Sequence, residues 1–266
     1  MMELKIGIIG LGFVGSAVKA AYESCVANVE FFLRDSDTSK GFCDSYEDLR
    51  KCDAVFICVP SPQKEDGSCD TSILEEILPA FKNYVGVIIS KTTAPPDVYE
   101  RLSKEYPNLI HAPEFLTAAN ATADYLNSRF VVIGASFNIF AREAARIITL
   151  PLVGLTSHLF CTPAEASLVK YAINTYLATK VIFMNEIKKV AEASNIDYYV
   201  ITKMIVNDDR IGWSHMQVPG PDGLFGFGGA CFPKDTSALL SYAKSLGVEM
   251  SVLQAAVDKN NKVRIE

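Results

Sequence analysis

Leu4-Lys5-Ile6-Gly7-Ile8-Ile9-Gly10-Leu11-Gly12-Phe13-Val14-Gly15 is the stretch that decides the fold. Its first six residues are mostly apolar and β-prone, and its last six carry the GxGxxG spacing. A helical pattern follows through Val18, Ala21, Tyr22 and Cys25. Strand, glycine turn and helix in that order open a dinucleotide-binding unit. The glycines permit the tight turn and the close approach of a pyrophosphate, which the helix N-terminus then holds. Phe13 and Val14 lie within that turn. A second apolar run, residues 29–33, leads to Asp35, about 20 residues past Gly15, where the ribose-binding acid belongs. A carboxylate there accepts from the ribose hydroxyls and repels a 2′-phosphate, so the expected cofactor is NAD and not NADP. Arg34 is the neighbour able to accommodate that phosphate.

Outward from this opening, short apolar runs alternate with helical segments. Residues 54–59, 85–89, 109–111 and 130–133 read as buried parallel strands, and residues 72–82, 96–106 and 138–148 as helices. The pattern predicts a doubly wound sheet with ligands at the strand carboxyl ends. Three loops leave those ends: Val59-Pro60-Ser61-Pro62, Ser90-Lys91-Thr92-Thr93-Ala94-Pro95-Pro96, and Ala112-Pro113-Glu114-Phe115. They read either as proline punctuation or as parts of a site.

Composition narrows the classes. The chain has 266 residues, 49% hydrophobic and 21% charged, which suits a large core and two modest domains. A net charge of −6 without a basic run argues against nucleic acid as a partner. No apolar run approaches the roughly 20 residues that span a bilayer, and no signal-peptide pattern precedes the first strand. The seven cysteines are scattered and odd in number, which suits a reducing, cytoplasmic setting better than disulfides or zinc. His111, His158 and His215 show neither metal spacing nor an Asp partner, so no metal site is expected.

The second half differs. Thr162-Pro163-Ala164-Glu165 is an N-cap, a first-turn proline and an acid at the third position. A long helix is expected from there to about residue 194, roughly 45–50 Å at 1.5 Å per residue. Shorter helices follow before and after a glycine-rich loop. The expected division is a Rossmann-like domain over residues 1–155 and an all-helical domain over 156–266. A spine that long calls for a neighbour, and a homodimer is the simple one. Lys170 and Asn174, four apart, share one helix face, which reads as an oxyanion-binding pair or as a solvated stripe continuing to Glu186 or Lys189.

The glycine-rich loop reads Phe227-Gly228-Gly229-Ala230-Cys231-Phe232-Pro233-Lys234-Asp235. Gly228 and Gly229 let the backbone pass close to a ligand, and Pro233 suits the first turn of a helix over residues 234–246. Cys231 then precedes a helix N-terminus, with the Lys234 ammonium three residues on, and both favour thiolate. It is either a nucleophile or a buried cysteine in a turn.

Together with Asn185-Glu186 and Asp209-Arg210-Ile211-Gly212, these motifs, in this order, resemble the UDP-glucose/GDP-mannose dehydrogenase family over nearly the whole chain. The resemblance implies a twofold NAD-dependent oxidation of a nucleotide-sugar alcohol to an acid, UDP-glucose to UDP-glucuronate. It implies that Cys231 passes through a thiohemiacetal and a thioester, that Lys170 and Asn174 hold the oxyanion, and that Thr93, Glu114 and Asp235 position or deprotonate water. It further implies cofactor contacts from Val59, Pro60, Thr93 and Lys234, and sugar-side contacts from Phe115, Leu116, Phe227, Gly228 and Phe232. Arg210 matches a residue that reaches the sugar across a dimer interface. The chain departs from the family at Ser61, Thr92, Ala118 and Ala119, the last two standing where an acid and a glycine are usual. It also ends at Glu266, where a third, nucleotide-gripping domain is expected to follow, so that domain is expected to be absent. Two other readings stand beside this one: a two-electron β-hydroxyacid dehydrogenase, and a catalytically silent NAD-binding module that works with a partner.

Overall fold

The computed structural model describes residues 3–154 and 156–264. Two compact units divide the chain, one of residues 1–62 and 69–170 and the other of residues 63–68 and 171–266.

The first unit is a seven-stranded sheet between two layers of helices. In chain order it holds β1 (Leu4–Ile9), α1 (Phe13–Cys25), β2 (Val29–Arg34), α2 (Tyr46–Leu49), β3 (Ala54–Ile57), α3 (Ser72–Ile77) and β4 (Val87–Ser90). It continues with α4 (Pro96–Glu105), β5 (Leu109–His111), α5 (Ala121–Leu126), β6 (Phe130–Gly134), α6 (Asn138–Thr149) and β7 (Ser157–Cys161). The strand order is β2-β1-β3-β4-β5-β6-β7. β3 shows why the runs are continuously apolar: Ala54 and Phe56 enter the core that also holds Val18, Tyr22 and Ile147, while Val55 and Ile57 enter the opposite core with Leu74, Phe81 and Tyr99. A strand buried on both faces has no polar side to show.

Two features depart from the expected sheet. β6 runs antiparallel to β5, pairing through His111 and Gly134, whereas all strands were expected parallel. The link between them carries a short 3-10 turn at residues 118–120 and the six-residue α5, and the chain enters β6 at the same end of the sheet where it left β5. β7, which has no counterpart in the sequence reading, pairs parallel with β6 and forms the edge. The sheet thus extends beyond the expected division at 155/156, and residue 155 itself lies outside the described residues.

The long helix α7 (Pro163–Ala193) starts as the sequence signalled. Thr162 N donates to Glu165 Oε2 at 2.7 Å and Glu165 N to Thr162 Oγ1 at 3.3 Å, a reciprocal cap. The second unit adds α8 (Tyr198–Ile205), α9 (Phe232–Ser245) and α10 (Ser251–Val263). Its core has one cluster around Ala178, Ile182, Phe227 and Ala256, and another around Met184, Tyr198, Met216 and Val218.

Candidate active site

In the first unit the glycine turn is built by close approach. Gly10 has φ +86°, and a Cβ there would lie 2.7 Å from Cys58 O. A Cβ on Gly15 would overlap Gly10 O, whereas one on Gly12 would meet nothing. So Gly10 and Gly15 shape the turn, and Gly12 leaves open the face that a pyrophosphate needs. Gly12 is the N-cap of α1 without a side-chain cap, which leaves the first N–H groups of Phe13, Val14 and Gly15 for an anion. Asp35 is tied into this turn: its carboxylate accepts from Leu11 N at 2.6 Å, Asp37 N at 2.9 Å and Lys40 Nζ at 3.0 Å. Burial pushes Asp35 up, but the hydrogen bonds from Asp37, Leu11 and Lys40 outweigh it and hold the carboxyl below its usual range. Arg34 turns elsewhere, donating to Asp44 O at 3.0 Å and lying over the Tyr46 ring. An open glycine face, an uncapped helix start and an ionised acid fit the pyrophosphate and ribose of NAD.

The loop after β4 is held from beneath. Tyr99 OH donates to Thr92 O at 2.5 Å and lies 2.7 Å from Ser90 Oγ, while Thr92 Oγ1 donates to Val59 O at 2.9 Å. His111 stacks on Tyr99 with ring centroids 3.7 Å apart. Burial lowers His111 to about 3, so the ring is neutral and Nδ1 donates to Ser90 O at 3.3 Å. Thr93 follows, half-buried, with Pro60 exposed on the loop after Val59. The clamp through Tyr99 was invisible in the sequence, because nothing in a helix pattern marks a tyrosine that caps a distant carbonyl.

Glu114 and Lys170 form one buried pair. Lys170 Nζ donates to Glu114 Oε1 at 3.0 Å and to Glu114 O, and lies 5.3 Å from the Phe115 ring centroid. Glu114 Oε2 accepts from Leu116 N at 2.7 Å. The two side chains are only 4% and 7% exposed, so removal of either partner leaves a buried charge, at a cost of about 3–5 kcal/mol.

In the second unit Asp235, 1% exposed, accepts from Asn174 Nδ2 at 2.6 Å and from Lys234 Nζ at 2.5 Å. Lys234 is thereby paired to an acid. Cys231 occupies the N-cap of α9 and accepts from Asp235 N through its carbonyl at 2.8 Å. Phe227 meets Phe232 edge to face at 6.2 Å. Gly228 has a different occupant from the one its sequence suggested. A Cβ there would overlap the Arg264 guanidinium, which is bonded to Asp222 Oδ2 at 2.8 Å through both terminal nitrogens. The start of the loop is fixed by two buried asparagines, Gly226 N donating to Asn185 Oδ1 at 2.9 Å and Phe227 N to Asn260 Oδ1 at 2.7 Å. Asn185 stood in a recognisable motif; Asn260 and Arg264 gave no signal, being more than 30 residues away in sequence and in an unremarkable helix. Arg210 is not gathered with these groups: its side chain, 87% exposed, pairs with Asp208.

The first unit's turn, helix and acid define a dinucleotide-binding protein. Family models agree and extend this. The NAD binding domain of the UDP-glucose/GDP-mannose dehydrogenase family matches residues 33–148, and the central domain of that family matches residues 164–262. The chain is 34% identical to the UDP-glucose 6-dehydrogenase of Rickettsia bellii, over 81% of this chain and 51% of that protein. It is 30% identical to YtcA of Bacillus subtilis, over 97% of this chain and 68% of that protein. A UDP-glucose dehydrogenase structure from Pyrobaculum islandicum superposes with a TM-score of 0.80 at 27% identity, covering 98% of this chain and 68% of that one. The chain belongs to the UDP-glucose/GDP-mannose dehydrogenase family. It spans about half the length of several curated relatives it matches.

Proposed function

We propose that the chain is an NAD-dependent oxidoreductase that converts the primary alcohol of a nucleotide sugar, UDP-glucose, to the acid in two steps. The observation that carries this reading is Cys231 at the start of α9, one turn before a buried Asp235 that is held by Asn174 and Lys234. Oxidation of an aldehyde by hydride loss needs a tetrahedral centre, and addition of a thiolate supplies one. In the first step the alcohol loses a proton from oxygen and a hydride from carbon. In the second, Cys231 Sγ bonds to the aldehyde carbon, a hydride leaves that carbon, and a thioester remains. Water then adds, the C–S bond breaks, and the acid and the thiol are released. NAD, when bound, supplies the hydride acceptor; Gly12, the N-terminus of α1 and Asp35 would hold it, with Val59, Pro60, Thr93 and Lys234 as further contacts.

Lys170 and Asn174 act as oxyanion donors in this reading, and Glu114, Asp235 and Thr93 handle water. Each donor rests on one of the acids, Lys170 on Glu114 and Asn174 on Asp235, which keeps both donor and acid oriented. Phe115, Leu116, Phe227 and Phe232 contact the sugar side, whereas the space at Gly228 is taken by Arg264. A homodimer is supported by exposed Tyr176, Phe183 and Val190, spaced seven apart along α7, and Arg210 would reach the neighbouring subunit. Among the described residues no helix is long and apolar enough to cross a membrane. The seven scattered cysteines, odd in number and without CxxC spacing, suit a cytoplasmic setting.

The test is NADH counted against UDP- and GDP-sugars consumed. The unmutated chain should form two NADH per sugar, and Cys231→Ser should lower sustained acid formation by orders of magnitude. Acid formation at an intact rate in Cys231→Ser would refute the thioester route. Binding of NAD with no NADH from any sugar would favour the silent-module reading.

A further inference from the structure

The proposed reaction gives no role to Lys91, a buried cation of the first unit. Its side chain is 6% exposed and follows β4. Among the described residues its ammonium has no hydrogen-bond acceptor and no carboxylate partner; its contact is the Tyr125 ring, 5.8 Å to the centroid. Lys91 lines a cavity of about 410 Å³, large enough for a small organic ligand. Phe115, Tyr125, Phe130 and Ile148 give it an apolar wall.

The other polar groups of the lining are already engaged. Glu114 accepts from Lys170 and Leu116 N, and Asp124 Oδ2 accepts from Thr117 N at 2.8 Å and Thr117 Oγ1 at 2.6 Å. Asn127 Nδ2 donates to Ala123 O at 2.8 Å, and Ser128 Oγ to Asp124 O at 2.9 Å. Arg129, exposed and also lining the cavity, is a second cation without an acceptor among the described residues. What the cavity offers a ligand is therefore two donors of positive charge beside an aromatic wall. An ammonium on a largely buried side chain, reached only through the cavity and without a protein acceptor, gains from an oxyanion placed there.

We propose that this cavity binds a small organic anion, a carboxylate or phosphate on a ring-sized apolar body, with Lys91 pairing the oxyanion, Arg129 assisting, and Phe115, Tyr125 and Phe130 contacting the body. The cavity shares Glu114, Phe115 and Leu116 with the site of the reaction proposed above, while its Lys91 and Arg129 end has no role in that reaction. Occupancy would still bear on that reaction, because Glu114 lines the cavity while holding Lys170.

Burial lowers Lys91 to about 8, with Cys58 and Glu114 pulling it up and Lys170 pushing it down. These groups, Tyr125 and His111 face it, with Asp124 and Arg129 on the same cavity; His111, lowered to about 3, stays neutral throughout. Burial raises Cys58 to about 12 and Tyr125 higher still, so neither titrates near 8. Only the ammonium form pairs with an anion, so affinity should fall as the pH rises above about 8, with proton uptake on binding.

The experiment is calorimetry of benzoate, phenyl phosphate and neutral benzyl alcohol against the chain, without nucleotide, from pH 7 to 10. At least one anion should bind and the alcohol should not; the stronger anion identifies the oxyanion. Lys91→Met should weaken binding by about tenfold or more, and Arg129→Gln, at an exposed position, by a few-fold. The pH series needs no variant. Absence of binding by both anions, equal binding of the alcohol, unchanged affinity in Lys91→Met, or affinity independent of pH would each overturn the proposal.

Discussion

The chain has two glycine-rich loops of similar composition, and they use their glycines differently. In the turn before α1, Gly10 and Gly15 exist for each other and for Cys58: their missing side chains make room for backbone. In the loop before α9, Gly226 and Gly228 make room for side chains, Asn260 and Arg264. Gly12 and Gly229 face open space, but Gly229 needs its φ of +75° and Gly12 has no such need. Backbone cannot retreat, whereas the end of an arginine can. The first loop is therefore the more rigid requirement for space, whereas in the second the contact at Gly228 is replaceable and Gly226 and Gly229 are held to glycine by their positive φ.

Gly15→Ala should test that difference most severely. Alanine gains about 1 kcal/mol of helix propensity over glycine, but overlap with Gly10 O should outweigh it and cost about 3 kcal/mol net. Urea unfolding reads this as a lower midpoint. Gly12→Ala is the control, expected within about 0.5 kcal/mol in stability yet weaker in NAD binding. A stable Gly15→Ala would remove the distinction between the two loops.

Asp35→Ala should relax the preference for NAD over NADP by about tenfold or more, from the loss of charge-assisted hydrogen bonds and of repulsion. Titration of both cofactors measures it, and equal binding by the unmutated chain would show that Arg34 or Lys40 overrides the carboxylate. Because the folded state holds Asp35 below its usual range, its contribution is present above about pH 4 and is lost as the pH falls through the folded value. The stability gap between wild type and Asp35→Ala should therefore close in acid.

A smaller stability effect than at Gly15 is expected at Gly228→Ala, about 1–2 kcal/mol, through displacement of Arg264 from Asp222. In an Arg264→Ala background the cost should shrink, because the occupant is gone. Equal costs in both backgrounds, from the same unfolding measurement, would mean that Gly228 serves something other than Arg264.

The sequence by itself determined the local chemistry: the strand, turn and helix around Gly10 to Gly15, the acid at Asp35, the cap at Thr162 and Glu165, and the Cys231 position at a helix start. Each rests on residues within a few positions of one another, or on a fixed spacing along one element, and such periodicities are written in the chain. The tertiary structure alone decided which group each of these meets. The antiparallel turn to β6, the edge strand β7, the Tyr99 clamp on Thr92, the pairing of Lys170 with Glu114 and of Asn174 with Asp235, and the seat of Arg264 over Gly228 all join residues far apart in sequence. No period or motif encodes such partners, because side-chain packing and hydrogen-bond satisfaction select them only once the backbone has closed.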